Sequence, residues 1–415
     1  MRILEGSKRD RFVRALEQRG ATDLADVAPA VRRIVSDVRR NGDRALHRYS
    51  TRWDGLGKHE PLRVSEADLQ RAWELTPKEL QDAITEAAAN IRRYCEWQKP
   101  AEWRREIHPG VCVGQLVRPL ESVGCYVPGG RYPLPSTVLM TVIPAQVAGV
   151  RQIRVASPRP AQITLAAAFF LGVREFYCIG GAQAIAALAY GTKTVSRVDK
   201  IVGPGNRYVT AAKKFVAFDC AIEFLAGPTE AVVISEDGNP AWIASDLVAQ
   251  AEHDPDALCI FITTTSDLAK TVQTEVQQRT RTNAVARQSL SRRGAILLVD
   301  SLEDAVETAN HIAPEHLTLP PQLASAVQNA GSVFLDELSP QAAGDYISGP
   351  NHVLPTGGMA RVRGGLSVLD FVRIIACQEV SAEGIQRLAP SAIALAEAEG
   401  LGAHAESLRV RCSHA

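Results

Sequence analysis

Short apolar runs alternate with amphipathic stretches of helical length along most of the chain. The runs are QIRVAS from residue 152, EFYCIGG from 175, DKIVGPG from 199, EAVVIS from 230, LCIFITT from 258, GAILLVD from 294 and GSVFLDE from 331. Each is too short for a helix and rich in branched side chains, the signature of a buried strand. Strand followed by helix, repeated, predicts parallel sheet with helices packed on its faces. Two such modules are expected, dividing near FLAGPTE at 224–230.

Outside these modules the pattern changes. Phe12, Val13 and Leu16 lie at helical spacing within the polar segment SKRDRFVRALEQRG, which predicts an N-terminal arm or first helix. From about 24 to 98, AVRRIVSDVRRNG and LQDAITEAAANIRRYCEWQ repeat their apolar positions every three to four residues, as helices do. GVCVGQLVRPLESVGCYVPGG then alternates as strands do. The tail from about 366 reads as helical. It is too small to hold a core, so it is expected to pack elsewhere on the chain or on a partner.

Composition narrows the class. A chain of 415 residues exceeds one ordinary core. Lys+Arg and Asp+Glu both number 46, and this balance argues against a nucleic-acid binder. The longest apolar run, ITLAAAFFLGV from Ile163, is shorter than a bilayer requires, so no membrane association is expected. MRILEGSKRDRF lacks an apolar signal core, which predicts a cytoplasmic protein. The eight cysteines form no CxxC pair and predict reduced thiols rather than a zinc ribbon or a disulfide scaffold.

Candidate chemistry begins with absences. No GxGxxG follows a predicted strand, and neither GxxxxGK[ST] nor GxSxG is present. Three glycine turns nevertheless join strand to helix: YVPGGRYPLPST, IGGAQAIAAL and VGPGNRYVTAAKKF. A turn feeding a helix start offers free N–H groups to an anion. With Tyr126, Gln183 and Asn206 beside them, the three turns suit a dinucleotide cleft, although any one alone is a tight βα turn.

Four further stretches carry polar residues of catalytic type. In DLVAQAEHDPDA, Gln250 and His253 are three apart and would share a helix face, as metal ligands or as a hydrogen-bonded core pair. In IAPEHLTL, Glu315 and His316 are adjacent where a helix ends and a strand begins, suited to acid–base work or to capping. Asp345 and His352 fall in AAGDYISGPNHVLPTGG, a Gly/Pro-rich loop beyond a strand, where ligands bind in α/β folds. Glu399 and His404 lie near the C-terminus and, taken alone, read as solvent-facing helix residues. Gln250, His253, Asp345 and His404 together offer nitrogen and oxygen donors acceptable to zinc. Spacing does not establish that they converge.

The set of motifs resembles the histidinol dehydrogenase family over nearly the whole chain. The resemblance rests on GCYVPGGRYPLPSTVLMTVIPAQVAG, IGGAQAIAALAYGT, VDKIVGPGNRYVTAAK, AGPTEAVVI, DLVAQAEHDPDA, APEHL, GSVFL, AGDYISGPNHVLPT and AEGLGAH, in the family's order. It implies an α/β homodimer with two Rossmann-like parallel-sheet domains and helical terminal segments exchanged between subunits. The expected division is a helical arm over 1–22, a first, catalytic domain over 23–120 plus 231–365, a second, NAD-side domain over 121–230, and a helical tail over 366–415 reaching the partner. The implied reaction is four-electron oxidation of L-histidinol to L-histidine by NAD through a bound aldehyde, with one zinc per subunit.

Carried onto matching positions, the zinc ligands are Gln250, His253, Asp345 and His404, the last from the partner chain. His316 would take the alcohol proton, and Glu315 would activate water for the second oxidation. Tyr126, Gln183 and Asn206 match NAD contacts. Ser136, Thr229, His352 and Glu399 match substrate contacts, with His316 and the four zinc ligands also at the substrate. Thr229 stands where many relatives carry serine, which keeps the hydroxyl and adds a methyl. The alternative is a sister zinc/NAD dehydrogenase of another small alcohol, such as a sulfonated diol, which would call for an added Arg or Lys in the pocket.

Overall fold

The computed structural model describes residues 1–19, 24–57, 59–129 and 132–413. Strand β1 (Arg2–Leu4) leads into α1 (Gly6–Glu17), followed by α2 (Ala28–Trp53), α3 (Glu66–Glu74) and α4 (Lys78–Gln98). Strands β2 (Trp103–His108), β3 (Val111–Pro119) and β4 (Ser122–Tyr126) come next. Strand and helix then alternate through α5 (Pro135–Ala148), β5 (Gln152–Ala156), α6 (Gln162–Phe170), β6 (Glu175–Tyr177), α7 (Gly181–Tyr190), β7 (Lys200–Val202), α8 (Arg207–Val216) and β8 (Ala221–Ile222). The second series is β9 (Glu230–Ile234), α9 (Pro240–Ala251), β10 (Leu258–Thr263), α10 (Ser266–Arg279), α11 (Ala284–Arg292), β11 (Ala295–Leu298), α12 (Leu302–Ile312), β12 (His316–Leu319), β13 (Ser332–Leu335) and α13 (Gln341–Tyr346). Strand β14 (Val372–Val380), α14 (Ala382–Ala398) and α15 (Gly402–Cys412) complete the chain.

Two parallel sheets result, in the Rossmann-like arrangement expected. One has the order β6-β5-β4-β7-β8, the other β1-β11-β10-β9-β12-β13. All five residues of β9 and all six of β10 are buried, because helices cover both faces of the sheet. Half of helix α7 is alanine and the helix is buried along its length, which lets α2 and α8 approach closely. Side-chain caps start several helices: Asn206 on α8, Asn239 on α9 and Ser301 on α12.

Three expectations change. The N-terminal segment is not purely helical, since β1 pairs in parallel with β11 and α1 packs beside α12. The expected boundary at 22/23 lies outside the described residues. Helices α2, α3 and α4, expected to pack with the six-stranded sheet, pack with the five-stranded one. Val31, Ile34, Val35 and Val38 of α2 bury against α7 and α8, while Leu69 of α3 and Ile84, Ala88 and Ile91 of α4 bury among residues of α5 and α6. Burial of each such Val or Ile contributes about 1.5–3 kcal/mol, so the facing apolar surface decides the domain. The tail is not all helix: β14 pairs antiparallel with β3 in a separate β14-β3-β2 sheet before α14 and α15.

All eight cysteines are free thiols. Among the described residues, no helix is long and apolar enough to cross a membrane.

Candidate active site

A cleft of about 660 Å³ opens between the sheets, lined by Ser136, Thr137, Thr229, His253, Glu315, His316, Asp345 and His352, among others. One wall comes from the carboxyl ends of the five-stranded sheet, through Pro128, Gly129 and Pro204 after β4 and β7. The other comes from the amino ends of the six-stranded sheet, through Thr229 before β9 and the Glu315–His316 pair where β12 starts.

His316 is the first residue of β12 and pairs with Ala231 on one side and Ser332 on the other. This central register buries its ring, which stacks on Phe334 at 5.9 Å between centroids. Its Nε2 lies 3.4 Å from Oδ1 of Asp345, and its Nδ1 lies 3.7 Å from Oε2 of Glu315 with no hydrogen-bond partner. Burial opposes charge on the ring, but the Glu315 and Asp345 carboxylates outweigh it and raise the His316 pKa. Burial also pushes the Glu315 carboxyl up, against the pull of His316 and a hydrogen bond from the Glu230 N–H at 3.0 Å.

Asp345 is a junction. Its Oδ2 accepts from Nε2 of Gln250 at 3.0 Å, and its backbone carbonyl lies 2.7 Å from Nδ1 of His352. Burial alone would raise its carboxyl, yet His316, His352 and Gln250 hold it down at about 2. Asp345 sits on the short helix α13 rather than in an irregular loop. His253 likewise departs from expectation. Helix α9 ends at Ala251, so Gln250 is on the helix and His253 in the turn beyond it. Gln250 is 1% exposed, and its Oε1 has no partner. Buried amide oxygens are normally satisfied, so this one fits a missing donor or cation.

The cleft gathers Ser136, Thr229, His253, Glu315, His316, Asp345 and His352, with Gln250 behind Asp345. It does not gather the other predicted residues. Glu399 and His404 are exposed at the end of α14 and on α15, outside the cleft lining. Among the described residues no three His, Cys, Asp or Glu side chains of this chain are placed to hold a metal. Tyr126, Gln183 and Asn206 lie at the carboxyl ends of the five-stranded sheet, beside the cleft. The Tyr126 hydroxyl accepts from the Gly181 N–H at 3.1 Å, and Gln183 donates to Asp54 at 3.0 Å. Asn206 is exposed and caps α8 through Tyr208 and Val209.

Three residues at the site escaped sequence reasoning. Thr137 lies 3.2 Å from Nε2 of His352, and only its position next to Ser136 hinted at it. Asp54, which ends α2, accepts from both the Gly180 N–H and Gln183, closing the turn before α7. Glu230 holds Glu315 through its backbone, and nothing in its sequence context set it apart from an ordinary strand start.

The comparisons agree with this architecture. The sequence model described as histidinol dehydrogenase matches residues 17–412. A histidinol dehydrogenase of Methanothermobacter thermautotrophicus is 46% identical, covering 97% of each chain. One from Methanopyrus kandleri is 45% identical over 100% of both chains. The crystal structure of histidinol dehydrogenase from Elizabethkingia anophelis superposes with a TM-score of 0.95 at 36% identity, covering 100% of this chain and 98% of that one. A buried histidine–carboxylate pair in a cleft between two Rossmann-like sheets, with relatives matching over its full length, places this chain in the histidinol dehydrogenase family.

Proposed function

We propose that the chain oxidises L-histidinol to L-histidine in two successive hydride transfers to NAD, with zinc holding the substrate and a second copy of the chain completing the site. The observation that carries this reading is the buried Glu315–His316 pair facing the same cleft as Asp345 and His352. In the first step the carbinol C–H leaves as hydride while His316 takes the O–H proton, and the product is the aldehyde. An aldehyde must be hydrated before it can lose a second hydride. Glu315, buried beside His316, is suited to hold the attacking water and take its proton.

The residues present fit zinc. Gln250 presents a buried, unpartnered amide oxygen, Asp345 a carboxylate and His253 an imidazole at the cleft wall. These three would hold the ion, with His404 of a second copy as the remaining ligand. Bound there, zinc would supply a Lewis-acid anchor for substrate nitrogen, without redox chemistry of its own. Tyr126, Gln183 and Asn206 would face NAD, the hydride acceptor. Ser136, Thr229, His352 and, from a second copy, Glu399 would contact the substrate.

Among the described lining residues there is no Arg or Lys to pair with a sulfonate. The test is the NADH formed per mole of limiting L-histidinol by zinc-loaded protein in excess NAD. Two equivalents, lost on chelation and in His316→Ala, are expected; one equivalent would remove the role given to Glu315, and none would remove the substrate.

A further inference from the structure

Glu230 follows Thr229 at the first position of β9, and its buried carboxylate is gripped from two sides. Arg19 donates to it twice, Nε to Oε1 at 2.9 Å and Nη2 to Oε2 at 2.7 Å, and the Gly357 N–H donates to Oε1 at 3.1 Å. Arg19 is itself anchored, through Nη1, on the Leu16 carbonyl in the last turn of α1. The Glu230 N–H in turn holds Oε2 of Glu315 at 3.0 Å. Three segments remote in sequence therefore meet around one side chain, directly behind the Glu315 carboxylate.

A buried ion pair contributes little to stability compared with apolar packing of the same volume. Its use here is geometric. The guanidinium fork fixes both the position and the rotation of a carboxylate, which a single contact cannot do. Without it, the Glu230 charge would be left unpaired beside Glu315, and one of the two carboxylates would have to move. His316 is held by other means: its strand register, its stack on Phe334 and its contact with Asp345.

We propose that Arg19, acting through Glu230, is a positioning residue for Glu315 and serves the second oxidation far more than the first. This rests on the roles given above to His316 and Glu315. A segment before the first Rossmann-like module thus tunes one half-reaction of a site it does not line.

Both half-reactions can be started from L-histidinaldehyde on the zinc-loaded enzyme. NADH reduces it to L-histidinol, hydride adding to carbon and a proton to oxygen. NAD oxidises its hydrate to L-histidine, taking the C–H hydride as an O–H proton leaves. In Arg19→Met the oxidation should fall at least about tenfold while the reduction changes less than about twofold, as expected when one catalytic group is misplaced. Arg19→Lys, which keeps the charge and loses the fork, should recover part of the oxidation.

The ratio is measured within one protein, so only folded molecules contribute. Arg19→Lys supplies the same test should Arg19→Met not fold. Equal losses in both directions, or an unchanged ratio, would overturn the proposal. Wild-type enzyme that cannot oxidise the aldehyde would instead overturn the role of Glu315, and the inference with it.

Discussion

The hydroxyl of Thr137 lies 3.2 Å from Nε2 of His352, while Nδ1 of the same ring lies 2.7 Å from the carbonyl oxygen of Asp345. A carbonyl can only accept, so Nδ1 carries the proton and Nε2 accepts from Thr137. Burial lowers the His352 pKa and favours this neutral ring. Removing the hydroxyl in Thr137→Val should destabilise the fold by about 1–2 kcal/mol and raise KM for L-histidinol, whereas Thr137→Ser should restore both. Thermal unfolding and the nitrogen chemical shifts of His352 are the readouts. An unchanged tautomer and KM in the valine variant would show that the contact orients nothing.

The unpartnered oxygen of Gln250 gives a test of metal binding that does not depend on turnover. Chelation should lower the unfolding temperature of the wild type and leave that of Gln250→Leu nearly unchanged, because the variant has already lost a ligand. Zinc per chain after dialysis should fall in Gln250→Leu and in His253→Ala. Equal zinc contents in all three proteins would place the metal elsewhere.

Lys213 and Glu223 form a buried pair at 2.6 Å, both side chains nearly inaccessible. Together they clamp Gly203, whose N–H donates to Glu223 and whose carbonyl accepts from Lys213. Gly203 has φ +112, and a Cβ there would collide with the carbonyl oxygen of Tyr126. Lys213→Met should cost about 3–5 kcal/mol by leaving a buried carboxylate uncompensated, and adding Glu223→Gln should recover part of it. Denaturant unfolding measures both; a loss below about 1 kcal/mol would mean that water reaches Glu223.

Burial raises the Asp246 carboxyl to about 6, so folding disfavours its charge. The folded state then binds more protons than the unfolded chain between about pH 4 and 6, and stability falls as pH rises through that window. Asp246→Asn should match the wild type near pH 4 and exceed it at pH 7 to 8 by on the order of 1 kcal/mol, once solvent screening is allowed for. Unfolding midpoints at three pH values decide it, and a gap independent of pH would remove the cause given.

Both sheets were legible because strands buried on two faces leave dense apolar runs, and every run named from that pattern became a strand. The first strand was not legible: Ile3 and Leu4 are too few to show a period, and only β11 beside them makes them a strand. The allegiance of α2 was hidden for a different reason. Its apolar stripe records that it packs, not which sheet receives it. At the site, residue types singled out Glu315, His316 and Asp345, which the fold brings together. The contacts Thr137–His352, Asp54–Gln183 and Arg19–Glu230 span 215, 129 and 211 positions, and no local spacing encodes such meetings.

The two sheets turn opposite ends toward the cleft, one its carboxyl edge and the other its amino edge. At the far end of the six-stranded sheet, Ser235, Glu236, Asp237, Asp336 and Glu337 surround a second hollow with no share in the proposed chemistry. In most open α/β sheets that rim is where ligands bind. Under the proposed reaction this rim takes no part, so changes to its loops should leave turnover intact. Insertions, fused tags or grafted recognition loops belong there, on a scaffold whose working face points the other way.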